Sequence, residues 1–84
     1  MLVSASAANA AYPVCQSGAI RDVGPDAGWG ECLVGEYRVV LTCKNVKNGA
    51  LTAYYYGNWR TSGQSFKFCG TMKPYLHSVS VQRR

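Results

Sequence analysis

The stretch Glu36-Tyr37-Arg38-Val39-Val40-Leu41-Thr42-Cys43-Lys44-Asn45-Val46 decides the fold, together with Lys47-Asn48-Gly49-Ala50 and Leu51-Thr52-Ala53-Tyr54-Tyr55-Tyr56 behind it. Tyr37, Val39, Leu41 and Cys43 alternate with Arg38, Val40, Thr42 and Lys44. That is the period of two of a half-buried strand with a basic outer face. Asn48-Gly49 is a residue pair that tolerates the positive φ of a type I′ turn. Closing a hairpin on it pairs Lys47 with Ala50 and Val46 with Leu51. The same register sets Cys43 opposite Tyr54 and Leu41 opposite Tyr56. It predicts that Tyr54 and Tyr56 face the core and that Tyr55 points away.

Outward from this hairpin the remaining segments are also β-like. Tyr12 to Gln16 and Ala19 to Val23 read as two short strands, the second ending at the turn sequence Gly24-Pro25-Asp26. Gly28-Trp29-Gly30 reads as a flexible loop. Gly57-Asn58 and Ser62-Gly63 are breaks, and Ser65 to Cys69 is a third β run with Phe66 and Phe68 on one face. Tyr75 to Gln82 alternates Tyr75, His77, Val79 and Val81 against Leu76, Ser78, Ser80 and Gln82. No helical apolar period is sustained, and glycine or proline interrupts most windows. The expected fold is all-β: a small antiparallel sandwich or open barrel of six or so strands.

Eighty-four residues make one domain at most, and a core that small needs a staple. The cysteines Cys15, Cys32, Cys43 and Cys69 are separated by 16, 10 and 25 residues. There is no C-x-x-C and His77 is the only imidazole, so two disulfides are expected rather than a metal site. Three pairings are possible. The expectation is the sequential one, Cys15–Cys32 and Cys43–Cys69, in which the second bond ties the hairpin to the third β run. No cofactor is implied.

Residues 2 to 10 end in Ala-Asn-Ala and read as the remnant of a secretory signal or as a leader. The expected mature domain is residues 11–84, exported to a compartment where disulfides persist. Beyond that leader no apolar run is long enough to span a membrane as a helix. Net charge is +5, unevenly spread. The first 36 residues hold all four carboxylates against Arg21 alone, a balance of −3; the rest carry +8 and no acidic side chain. Such a field attracts acidic partners or anionic surfaces. Arg38, Lys44, Lys47 and Lys67 are its candidate basic surface.

The densest candidate for recognition is Tyr54-Tyr55-Tyr56-Gly57-Asn58-Trp59-Arg60. Trp, Tyr and Arg are enriched at binding hot spots because each joins large contact area to a polar handle. The expected contacts are Trp59, Arg60 and Tyr55, presented at a glycine-marked bend. Trp29 is either a plug beside the Cys15–Cys32 bond or a second anchor. His77 has no neighbouring carboxylate or nucleophile pattern in sequence, so no catalytic residue is expected. Single-stranded nucleic acid suits a basic aromatic sheet, but export argues against it.

The spacing of Tyr37-Arg38-Val39, Cys43, Tyr56-Gly57-Asn58-Trp59-Arg60, Gly63-Gln64-Ser65, Cys69 and the closing Ser78-Val79-Ser80-Val81-Gln82-Arg83 resembles small secreted proteins of Streptomyces and related actinobacteria. Size, four cysteines and all-β character are also similar to the tendamistat-type α-amylase inhibitors. That resemblance implies a six-stranded sandwich with two sequential disulfides. It departs in two places. The family's Trp-Arg-Tyr triplet lies between its first two cysteines, whereas Trp59-Arg60 falls between the third and fourth, and the middle gap is much shorter here. The resemblance therefore implies fold and secretion, and transfers no site residue. The functional expectation is a secreted, monomeric, non-enzymatic binding protein, most concretely an inhibitor occluding an extracellular hydrolase. A cationic antimicrobial or bacteriocin-like toxin, and an adaptor in an exported assembly, are the alternatives.

Overall fold

A computed structural model describes residues 14–21, 24–49 and 51–84. The leader 1–10 and the start of the first expected strand lie outside the described residues. Six strands form in chain order: β1 (Cys15–Ile20), β2 (Ala27–Cys32), β3 (Tyr37–Lys44), β4 (Thr52–Tyr56), β5 (Ser65–Phe68) and β6 (Tyr75–Arg83). They make two antiparallel three-stranded sheets, ordered β1-β2-β5 and β4-β3-β6, so the all-β expectation holds.

β3 sits at the centre of its sheet, as its alternation requires. Tyr37, Val39, Leu41 and Cys43 are wholly buried, while the residues between them are half-exposed. Val39, Leu41 and Cys43 build the core with Cys69 and Leu76; Tyr55 and Val79 pack against it. Ser65 and Asp26 are the buried polar side chains among the described residues, and Ser65 lies beneath β3. Its hydroxyl donates to Asn58 O at 2.7 Å and accepts the Val39 N–H at 3.0 Å, so its burial is compensated.

The segment expected as a loop, Gly28-Trp29-Gly30, is instead the middle of β2, the central strand of the other sheet. Glycine is poor in strands because it has no side chain to pack. Here that lack is the requirement. A Cβ on Gly28 would lie 2.5 Å from Leu41 Cδ2, and one on Gly30 would lie 2.7 Å from Val81 Cγ2. The two glycines form the floor on which the inward side chains of β3 and β6 rest. Likewise Ser17-Gly18 does not separate two strands: β1 runs through it and pairs with β2 from Cys15–Cys32 to Ile20–Ala27.

Both disulfides follow the sequential pairing. Cys15 and Cys32 are directly opposed partners within one sheet. Cys43 lies in β3 and Cys69 follows β5, so the second bond joins the two sheets through the core. Two disulfides in a chain this small fit an extracellular protein. Among the described residues no helix is long and apolar enough to cross a membrane.

The hairpin forms, but one residue out of the expected register. β3 and β4 pair Val40 with Tyr56, Leu41 with Tyr55, Thr42 with Tyr54 and Cys43 with Ala53. The tight turn is Val46 to Gly49, closed by the Gly49 N–H on Val46 O at 2.9 Å, with Lys47-Asn48 at its centre. Gly49 is not among the positive-φ glycines, which are Gly24, Gly35 and Gly63. Its need is space, since a Cβ there would lie 2.6 Å from Val46 Cγ2. A one-residue slip exchanges the faces of a strand. Tyr55 therefore turns inward, its ring against Gly70, and Tyr54 and Tyr56 turn to solvent at 64% and 46% exposure. A second irregularity lies between β3 and β6, where Thr42 pairs with Ser78 but Cys43 with Leu76. His77 is the extra residue of this bulge. Val79 and Val81 face inward, and the bulge brings Leu76 into the core beside them and leaves His77 exposed.

Candidate binding face

The outer face of β4-β3-β6 follows from this register. Residues opposed in a ladder share a face, so Tyr54, Thr42 and Ser78 form one row, Tyr56, Val40 and Ser80 the next, and Arg38 with Gln82 a third. Beyond Tyr56 the chain does not leave the sheet at Gly57. The Gly57 N–H donates to Val39 O at 2.9 Å, and Arg60 and Tyr37 exchange both backbone hydrogen bonds. The Gly57–Gly63 segment thus runs back along the edge of β3. Tyr37 fastens its far end, donating its hydroxyl hydrogen to Gly63 O at 2.5 Å. A Cβ on Gly57 would meet Val39 Cγ1 at 2.7 Å, so glycine permits the close approach.

This edge brings Trp59 beside the face in a cation–aromatic stack. The Arg38 guanidinium lies 4.2 Å from the Tyr56 ring centroid and 4.5 Å from that of Trp59. Arg84, from the C-terminal end of the chain, lies 4.0 Å from the same Trp59 ring. Polar contacts hold both arginines. Arg38 Nε donates to Gln82 Oε1 at 2.7 Å, and Arg84 makes a two-pronged contact with Glu36 at 2.8 and 3.1 Å. The Glu36 carboxyl is held below its ordinary range chiefly by this hydrogen bond from Arg84, and Arg84 is raised by the same bond. A planar guanidinium can stack on a ring and still direct its N–H groups to acceptors. The result is a row of large side chains whose rotamers are constrained before any partner arrives.

Of the expected contacts, Trp59 is half-buried in this stack. Arg60 is exposed but folds back, donating from Nε to Ser62 O at 3.0 Å. Tyr55 faces the core. Trp29 is neither beside Trp59 nor a plug at the Cys15–Cys32 bond. It lies on the outer face of the opposite sheet, its indole flattened over Gly18 and opposite Phe66. Phe66 and Phe68 stand next to it edge to face at 5.0 Å. The basic residues also separate. Arg38 belongs to the stack, Lys67 projects from β5, and Lys44 and Lys47 line a cavity at the far end with Arg21 and His77.

Reasoning from sequence missed Tyr54, Tyr56, Ser78, Ser80 and Arg84 as members of one surface. The signal that could have found the tyrosines was the turn. A connection with an odd number of residues, the five between Asn45 and Leu51, rather than the even number that a two-residue turn at Asn48-Gly49 requires, sets Tyr54 and Tyr56 outward. No sequence signal brings Arg84 to Trp59, because the contact spans the antiparallel return of β6.

Among the described residues no group of three or more His, Cys, Asp or Glu side chains is placed to hold a metal ion. Comparison with protein families, with curated proteins and with solved structures finds no match to this chain.

Proposed function

We propose that this chain is a secreted, non-enzymatic protein-binding module, and most concretely an inhibitor that covers the active-site entrance of an extracellular hydrolase. The observation that carries the reading is the outer face of β4-β3-β6, where exposed Tyr54 and Tyr56 adjoin Trp59, Arg38 and the serines of β6. Tyrosine and serine with Trp and Arg anchors is the composition of antibody paratopes, one class of protein-binding surface. Tyr gives wide amphipathic contact at low entropic cost, and Ser adapts its hydrogen bonds. Two disulfides and a central strand beneath the face lower the ordering cost of association.

The test is capture from culture supernatant with the oxidised protein, followed by assay of the captured enzyme with and without it. Tyr54→Ala/Tyr56→Ala should lose capture and inhibition together while staying folded, at a stability cost of about 1 kcal/mol from the lost Arg38–Tyr56 contact. Capture of a hydrolase whose activity is unaffected would refute inhibition. Unchanged capture by the double variant would refute this face. The toxin reading draws support from the +8 balance of residues 37–84. It predicts killing that weakens as salt rises, since the Debye length falls from about 30 Å at 0.01 M to about 8 Å at physiological ionic strength.

A further inference from the structure

At the end of the molecule away from Trp59, a cavity of about 340 Å³ is lined by Arg21, Asp26, Lys44, Lys47, Tyr75, Leu76 and His77. Arg21, Lys44 and Lys47 reach it from the end of β1, the end of β3 and the β3–β4 turn, and His77 from the bulge of β6. We propose that this cavity is a binding site for a phosphate or sulfate monoester on a sugar-sized group.

Three features carry this. The first is charge. Among the described residues Arg21, Lys44 and Lys47 face one carboxylate, that of Asp26, which is already committed inward. Its side chain is 10% exposed, and its Oδ2 accepts the Leu76 N–H at 2.9 Å. The cavity therefore presents a surplus of positive charge to an entering ligand. The second is preorganisation. The Asp26 N–H donates to Pro74 O at 2.9 Å, and its carbonyl accepts the Cys69 N–H at 2.7 Å. One Arg21 nitrogen donates to Leu76 O at 2.5 Å and stands 4.0 Å from Asp26 Oδ2. The guanidinium is thus fixed at the wall, with half of its side-chain surface open. A fixed fork of N–H donors matches tetrahedral oxyanions, and the two ammonium groups add mobile donors. Bulges re-aim side chains next to functional sites, and here the bulge puts His77 on the cavity wall. The third is size. The volume falls at the lower end of the roughly 300–1,000 Å³ of small-molecule sites. Tyr75, half-buried opposite Lys44 in the ladder, offers a ring against which the carrier of the anion can lie.

The site is separate from the tyrosine face and stands whether or not that face binds a protein. The experiment is an amide NMR titration of the oxidised full chain at constant chloride. The probes are glucose 6-phosphate, glucose 6-sulfate, inorganic phosphate and glucose. Saturable shifts centred on Lys44 to Lys47 and Tyr75 to His77 are expected with both esters, with weaker binding of inorganic phosphate and none of glucose. Lys44→Gln/Lys47→Gln should weaken ester binding tenfold or more, and Arg38→Gln/Lys67→Gln less than twofold. If the first double variant does not fold, Lys47→Gln alone, on the exposed turn, should weaken binding at least threefold. Non-saturating shifts spread equally over Arg38, Lys67 and Arg83, or wild-type affinity in the Lys44/Lys47 variant, would overturn the site. Inorganic phosphate binding as tightly as the sugar phosphate would overturn the assignment of a sugar-sized ligand.

Discussion

The Arg38 guanidinium stands 4.5 Å from the ring centroid of Trp59, and Arg84 stacks on the same ring at 4.0 Å. The indole is consequently neither a core side chain nor a freely presented one. An exposed cation–π contact is worth about 0.5–1 kcal/mol, and two of them share this ring.

Trp59→Ala should therefore cost about 1–2 kcal/mol from its two cation–π contacts, well short of the roughly 3–5 kcal/mol of a core tryptophan. Urea denaturation of the oxidised protein checks this. If the face also anchors a protein partner, the same variant should weaken binding by about 2 kcal/mol or more. A stability loss of core size would mean that the stack is a packing element.

The hairpin register makes opposite forecasts for adjacent tyrosines. Tyr55→Ala removes a ring that lies opposite Leu41, packs against the core cluster and meets Gly70, and should cost about 3 kcal/mol or more. Tyr54→Ala, at a side chain 64% exposed, should stay within about 0.5 kcal/mol. Thermal melts of the two variants would show the order directly, and the reverse order would place the turn at Asn48-Gly49.

Gly30→Ala tests whether β2 is the floor of the core. The added methyl would lie 2.7 Å from Val81 Cγ2 and 3.5 Å from Val39 Cβ, with backbone beneath it. Overpacking of this kind costs about 1–3 kcal/mol. A flexible loop would accept alanine at no cost, so an unchanged melting temperature would contradict the strand.

The Glu36–Arg84 pair sets the acid response of the stack. Glu36 is held below its ordinary value of 4.5, first by the Arg84 hydrogen bond. A carboxyl lowered on folding stabilises the fold above its unfolded value, and that contribution is lost as pH falls through the lower, folded one. Carboxyl NMR should find Glu36 titrating below 4.5 in the wild type and close to it in Arg84→Gln. Loss of the Arg84 tether as pH falls through the lowered, folded value should appear as a change in Trp59 fluorescence, with Trp29 replaced by Phe to isolate the signal.

How much of this was legible beforehand depended on whether a feature is local. The alternation Tyr37-Val39-Leu41-Cys43 is a property of consecutive residues, and it placed β3 and its buried face correctly. The runs at Ser65 and Tyr75 were equally readable, as was the need for two disulfides in a chain with a small core. The sequential pairing is consistent with the loop sizes, but its meaning is tertiary: one bond stays within a sheet and the other crosses between sheets.

The faces and the sites came from tertiary structure. A strand's period is two, so a register shifted by one residue inverts Tyr54, Tyr55 and Tyr56 with no change in local pattern. Gly28 and Gly30 look like a loop until the side chains of β3 and β6 are laid on them. Arg84 meets Glu36 and Trp59, and Arg21 meets Leu76, only because antiparallel return brings the last strand back beside the start of β3 and the end of β1. The sequence by itself determined an all-β chain with a stapled core and a basic second half. Which tyrosines meet solvent, and which cations gather around one cavity, was decided by strand register and sheet packing, because those depend on contacts between residues far apart in the chain.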